Sequence, residues 1–274
     1  MPVRSIDYSG WMGEKDDIGR LSTSRRYNQW LGGKDHYAAD RESTATIVGA
    51  LPSVVVAARE GRAMLLRAVR HLVADLGIRQ ILDIGAGQPI TPNVHEVAQA
   101  ADPGCRVLYV DNDPLVGVHH RGTIVSSPEG AAEFAEGDLL DAEKVIEAAG
   151  AVLDLDQPVA VLLSSVLHLI DDDARAHEAV RTLIAALAPG SYLVIVHGTF
   201  DTLPAEVQAK AQEIIDGRQH GVYRARSRAE VAAFVDGLEL VEPGLVSSVE
   251  WRPGPDIVTS VTDAMCWTVV ARVS

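Results

Sequence analysis

The run Ile81-Leu82-Asp83-Ile84-Gly85-Ala86-Gly87 constrains this chain more than any other stretch. Apolar residues bounded by glycines read as a buried strand that turns sharply towards a helix. Gly85 and Gly87 lack Cβ, so the backbone can take positive φ there and lie close to a ligand. A strand, a glycine turn and a helix start together frame a nucleotide site. A dinucleotide fingerprint would need a third glycine at position 90, where this chain has Ile90, and Pro89 delays the helix. No lysine–serine pair of a P-loop follows either. Asp83 would repel a phosphate but stabilise a cation, such as the ammonium of an amino-acid moiety.

The same alternation continues downstream. The patterning predicts strands at Gln80–Ile84, Arg106–Val110, Glu133–Ala135, Val159–Leu163, Tyr192–Val196, near Leu240–Val246 and at Trp267–Ala271. Helices are expected at Pro52–Leu76, Asn93–Ala101, Pro114–Val125, Asp141–Ala149 and Asp171–Leu187, then near 205–217 and 228–236. Fully apolar strands alternating with helices mean a sheet covered on both faces. Its ligands belong beyond the carboxyl ends of the strands, where the strand order reverses. Residues 1–50 differ, with Tyr8, Trp11, Tyr27, Trp30 and Tyr37 among glycines. They are expected to form an N-terminal helical arm over a main domain at 51–274.

Three acids stand at the ends of successive expected strands: Asp83 near the end of the first, Asp111 and Asp138 after the second and third. A carboxylate after the second strand can accept both hydroxyls of a ribose. One after the third can accept from an adenine amino group, and Leu139 beside it can offer a backbone N–H and an apolar face. Three carboxylates at corresponding strand ends therefore favour a nucleoside with a cationic tail.

Composition narrows the partners. The formal net charge of −14 opposes nucleic-acid backbones over most of the surface, so nucleic acid is not the expected partner. No apolar run reaches the length of a membrane span, and the N-terminus has no export-type apolar segment. Cys105 and Cys266 cannot build a disulfide framework and match no zinc spacing, which favours a cytoplasmic protein without a metal.

These motifs resemble the class I S-adenosylmethionine-dependent methyltransferases. Longer strings resemble, within them, a bacterial family known as the S-adenosyl methyltransferases. Those strings are Gly32-Gly33-Lys34-Asp35-His36-Tyr37-Ala38-Ala39-Asp40-Arg41-Glu42, Pro92–Gln99, Val110–Pro114, Val166-Leu167-His168, Ala188–Leu193 and Trp251-Arg252-Pro253. His36 and Gln88 depart from the family pattern. The resemblance runs from about residue 24 to 255 and implies a Rossmann-like α/β fold, a seven-stranded mostly parallel sheet with helices on both faces. It implies S-adenosylmethionine as cofactor and a small-molecule methyl acceptor. By resemblance, Gly85, Ala86 and Gly87 pass under the methionine part and Asp83 helps hold it. Asp111 takes the ribose hydroxyls with Asn112 nearby, Asp138 and Leu139 meet the adenine, and Ser164 and Ser165 face the sulfonium.

Methyl transfer needs alignment more than acid–base help, because the donor is already activated. His168, past Ser164, and His197, at the end of the next strand, are the candidate general bases. Tandem His119-His120 reads as a surface pair. The arm is the candidate lid: Gly32 and Gly33 bend it, Lys34 binds a carboxylate, and Tyr27 and Tyr37 close over the sulfonium. Two other functions share parts of this pattern: a non-catalytic S-adenosylmethionine-binding regulator, and a nicotinamide-dependent dehydrogenase. Position 90 and Asp83 argue against the second.

Overall fold

The computed structural model describes residues 19–255 and 258–274; Tyr8 and Trp11 lie outside them. Three helices come first: α1 (Thr23–Trp30), α2 (Ala38–Ala50) and α3 (Ser53–Ala74). Ser22 caps α1, and Gly77, at φ +74°, turns the chain after α3. Alternation follows: β1 (Gln80–Ile84), α4 (Val94–Ala101), β2 (Arg106–Asp111), α5 (Pro114–Thr123), β3 (Ala131–Glu136) and α6 (Ala142–Gly150). Then come β4 (Ala160–Ser164), α7 (Asp173–Ala185), β5 (Tyr192–Gly198), α8 (Ala205–Asp216) and α9 (Arg228–Ala232). The chain closes with β6 (Glu239–Leu240), β7 (Val246–Ser247), α10 (Val261–Ala264) and β8 (Cys266–Arg272).

The strands form one sheet in the order β3-β2-β1-β4-β5-β8-β6, with β7 also on β8. β1 to β5 are parallel, and β8 runs antiparallel to β5. The expected mostly parallel sheet is therefore present, with the order reversing between β1 and β4. One correction concerns the expected strand over 240–246. It is two short pairings separated by a turn at Pro243 and Gly244, because Pro243 has no N–H for the ladder.

Side chains alternate along the strands and build a core on each face. Ile81, Val107, Tyr109 and Leu162 pack beneath α3 and α4. Leu82, Ile84, Leu108 and Val161 pack against α6 and α7. Asp83 pairs in register with Tyr109 and Leu162, so its carboxylate occupies a slot on the α3 face that its neighbours fill with apolar groups.

Candidate functional site

A cleft of about 350 Å³ opens where the strand order reverses. Asp83, Gly85, Ala86 and Gly87 from β1 and its turn line its floor. Asp111, Asn112, Asp138 and Leu139 come from the ends of β2 and β3. Ser164, Ser165 and His168 come from the end of β4, and Tyr27 reaches in from α1. Ten cofactor positions implied by the resemblance, the lid candidate Tyr27 and one candidate base thus meet at the carboxyl ends of the strands.

The glycine turn is built for close approach. Gly85 and Gly87 sit at φ +73° and +66°, and a Cβ at Gly85 would lie 2.5 Å from Val166. Asp111 Oδ2 accepts from the Gly87 N–H at 2.9 Å and Oδ1 from the Asp113 N–H at 2.9 Å, and the Asn112 backbone also favours its charged form. Burial raises the Asp111 pKa, against the pull of those amides. Asp138 accepts from Asn112 Nδ2 at 3.0 Å and from the Leu140 N–H at 2.8 Å, so these two side chains hold each other at the adenine end of the expected site.

Asp83 is only 3% exposed, and no hydrogen bond from a described residue reaches its carboxylate. Burial lifts its pKa to about 7, opposed by Arg62 and reinforced by Asp111. Arg62 shares the cleft; its Nη2 is spent on the carbonyls of Ile90 and Pro92 and on Asn93, while its Nε is buried with no partner among the described residues. A buried carboxylate without a donor beside a guanidinium with an idle N–H is the complement of an amino-acid zwitterion.

Beside the cleft lies a smaller cavity of about 100 Å³, lined mostly by apolar groups such as Ile47, Leu51, Phe200, Ile214 and Met265. Arg26, Tyr27, Trp30, Ser165, His168 and Tyr223 border both spaces. Ser165 holds a left-handed backbone, φ 59°, fixed by its N–H on the Val196 carbonyl at 2.8 Å. The Tyr27 hydroxyl donates to the Ala58 carbonyl at 3.2 Å, and burial pushes its pKa up to about 12.

His168 accepts the Gly198 N–H on Nδ1 at 3.3 Å, and burial drives its pKa well below the ordinary value. Its neutral ring therefore carries hydrogen on Nε2. His197, the second candidate base, lies outside both cavities. It is fully buried, donates from Nδ1 to the Gly198 carbonyl and accepts from Arg226 on Nε2 at 3.1 Å, with its pKa lowered to about 4 by burial. Arg226 also donates to the carbonyls of Leu167 and Ile170 and twice to Asp173, which fixes the turn that carries His168.

The arm differs from expectation in three places. Lys34 is exposed and outside the cleft. Gly33 also lies outside it: a Cβ there would meet the Asn28 side chain at 2.3 Å, so glycine lets the turn close on α1. Tyr37 is exposed beneath the Arg25 guanidinium, 5.0 Å away. His120 is likewise no surface residue. Its Nε2 donates to the Gly87 carbonyl at 2.9 Å, between the rings of Tyr109 and Phe134, and burial lowers its pKa to about 4. Arg26, Arg62, Arg226 and the role of His120 carry no local sequence signal, because each acts through partners distant in the chain.

A doubly wound sheet with a glycine turn and three carboxylates at its switch point defines a Rossmann-like nucleoside-binding protein. The family model described as S-adenosyl methyltransferase matches residues 9–274, and the chain belongs to that family. A DUF574 family protein from Streptomyces avermitilis MA-4680 is 38% identical over 94% of this chain and 99% of that one, with a TM-score of 0.88. A structure from Thermobifida fusca YX is 32% identical over 94% and 97%, with a TM-score of 0.85. Human N-acetylserotonin methyltransferase, solved with S-adenosylmethionine, shares the fold at 15% identity and a TM-score of 0.50, over 93% of this chain and 63% of that one. No protein of curated function matches. The chain is an S-adenosylmethionine-dependent methyltransferase.

Proposed function

We propose that this enzyme methylates a hydroxyl or amine of a small molecule, with the cofactor in the larger cleft and the acceptor in the smaller cavity. The carrying observation is Asp83, a buried carboxylate with no hydrogen-bond donor from the described residues, next to the idle Nε of Arg62. In this reading Asp83 and Arg62 hold the amino-acid end, Asp111 holds the ribose, and Asn112, Asp138 and Leu139 meet the adenine. The bound cofactor supplies an activated methyl group. The protein supplies alignment. Ser165 and Tyr27 stand where the two spaces meet, and the apolar wall keeps water away from the reacting atoms. His168 offers an N–H rather than a free lone pair, so it orients the acceptor heteroatom instead of removing its proton.

Titration calorimetry with S-adenosylhomocysteine tests the seat. Asp111→Ala is expected to weaken binding by about 1–3 kcal/mol, the range for a lost buried hydrogen-bond partner. Binding equal to wild type would remove Asp111 from the ribose. A regulator that binds without catalysis would bind the same compound yet form none of it from S-adenosylmethionine with any acceptor.

A further inference from the structure

Arg26 sits on the border of the two cavities and is only 5% exposed. Its Nη1 donates to Ser43 Oγ at 3.0 Å and to the His220 carbonyl at 2.8 Å, both neutral acceptors. Its Nε is buried with no partner among the described residues. The acid whose charge favours it, Asp40, is committed to Arg25 at 2.6 Å and to the N–H groups of Ser22 and Tyr37. Burial lowers the Arg26 pKa to about 10, which leaves it charged at neutral pH. Among the described residues no acidic side chain lines the smaller cavity, and both its histidines have pKa values lowered by burial. A buried guanidinium that no described carboxylate contacts, with only the more distant charge of Asp40 to favour it, is costly, and an anionic ligand relieves that cost. The guanidinium carbon lies over the Trp30 ring, 5.6 Å from its centroid, and a guanidinium's planar fork suits a flat, two-oxygen partner.

We propose that the methyl acceptor is a small, largely apolar acid, its ring or alkyl part in the smaller cavity and its carboxylate on Arg26. This rests on reading the larger cleft as the cofactor seat. A carboxylate could also come from the cofactor's own methionine part, but Arg62 beside Asp83 already serves that end. A cavity of about 100 Å³ suits no more than a single ring or a short chain.

The test uses 4-hydroxybenzoate and 4-hydroxybenzamide as matched probes, titrated by ligand-observed NMR into the wild-type protein saturated with S-adenosylhomocysteine. The acid should bind at least tenfold more tightly than the amide. Arg26→Gln should erase that preference, whereas Arg62→Gln should weaken S-adenosylhomocysteine at least tenfold and keep it. Equal binding of acid and amide to wild type overturns the proposal, even if the variants fail to fold. A tenfold loss of S-adenosylhomocysteine in Arg26→Gln, with the acid preference intact, overturns it by giving Arg26 to the cofactor. Failure of wild type to take up S-adenosylhomocysteine at all refutes the cofactor seat itself, a different result from either.

Discussion

Asp83 shows how a single side chain can be costly to the fold and necessary to the site. It takes a core-facing position on β1, and burial raises its pKa to about 7, well above its value in an unfolded chain. The folded protein thus binds a proton that the unfolded chain releases between about pH 4 and 7, and this residue's contribution to stability falls as pH rises through that window. Asp83→Asn removes the burdened charge. The ligand-free variant is expected to melt at a higher temperature at pH 7, while S-adenosylhomocysteine binds at least tenfold more weakly by calorimetry. A variant that melts lower, or binds as wild type, would contradict this account. Asp83, Asp111 and the two glycines were legible because their spacing follows strand ends. His120 was not, since nothing local tells an exposed histidine from one pressed under the Gly87 carbonyl.

At the scale of elements, the first helices belong to the cleft wall. α1 and α2 both pack on α3. Asp40 ties α1 and α2 together: fully buried, it accepts from Arg25 Nε at 2.6 Å and from the N–H groups of Ser22 and Tyr37 at 2.9 Å. Ser22 and Ser24 also donate to Asp113, beyond β2, which pins the start of α1 to the cleft rim. Asp40→Ala leaves the buried Arg25 uncompensated and is expected to destabilise the protein by about 3–5 kcal/mol in urea. Hydrogen exchange should quicken first in α1, over residues 23–30. Uniform protection, or a loss under about 1 kcal/mol, would place α1 outside the cooperative unit. The arm's aromatics marked it as a lid, yet of its described aromatics, Tyr27, Trp30 and Tyr37, only the first two reach the cavities. Which ring of a short helix faces inward is set by the α3 surface it lands on.

Across the whole molecule, acid stability is a contest between opposed groups. His120 and His197 are buried neutral with pKa values near 4, below their unfolded value. The unfolded chain takes up protons that they refuse, so each loses about 1 kcal/mol of stabilisation between pH 7 and 5.5. His168 shifts in the same direction. Asp83 runs the other way and offsets about as much as one of them. Wild type should therefore lose stability only modestly over this range, and Asp83→Asn more steeply, as read by urea denaturation at several pH values. Identical slopes would remove Asp83 from the balance.

The sequence by itself determined the alternating α/β plan, the glycine turn and the line of strand-end carboxylates. Those depend on hydrophobic period, on chain flexibility at Gly85 and Gly87, and on the regular βα repeat, all local along the chain. Only the tertiary structure decided that Arg26, Tyr223 and His168 surround the junction of two cavities and that Arg62 joins the larger one, while His197 and Lys34 line neither. The reason is that burial and the direction of a side chain are set by what packs opposite it. Arg26 reaches Ser43 on the next helix and His220 near the far end of the chain, partners that no local pattern joins.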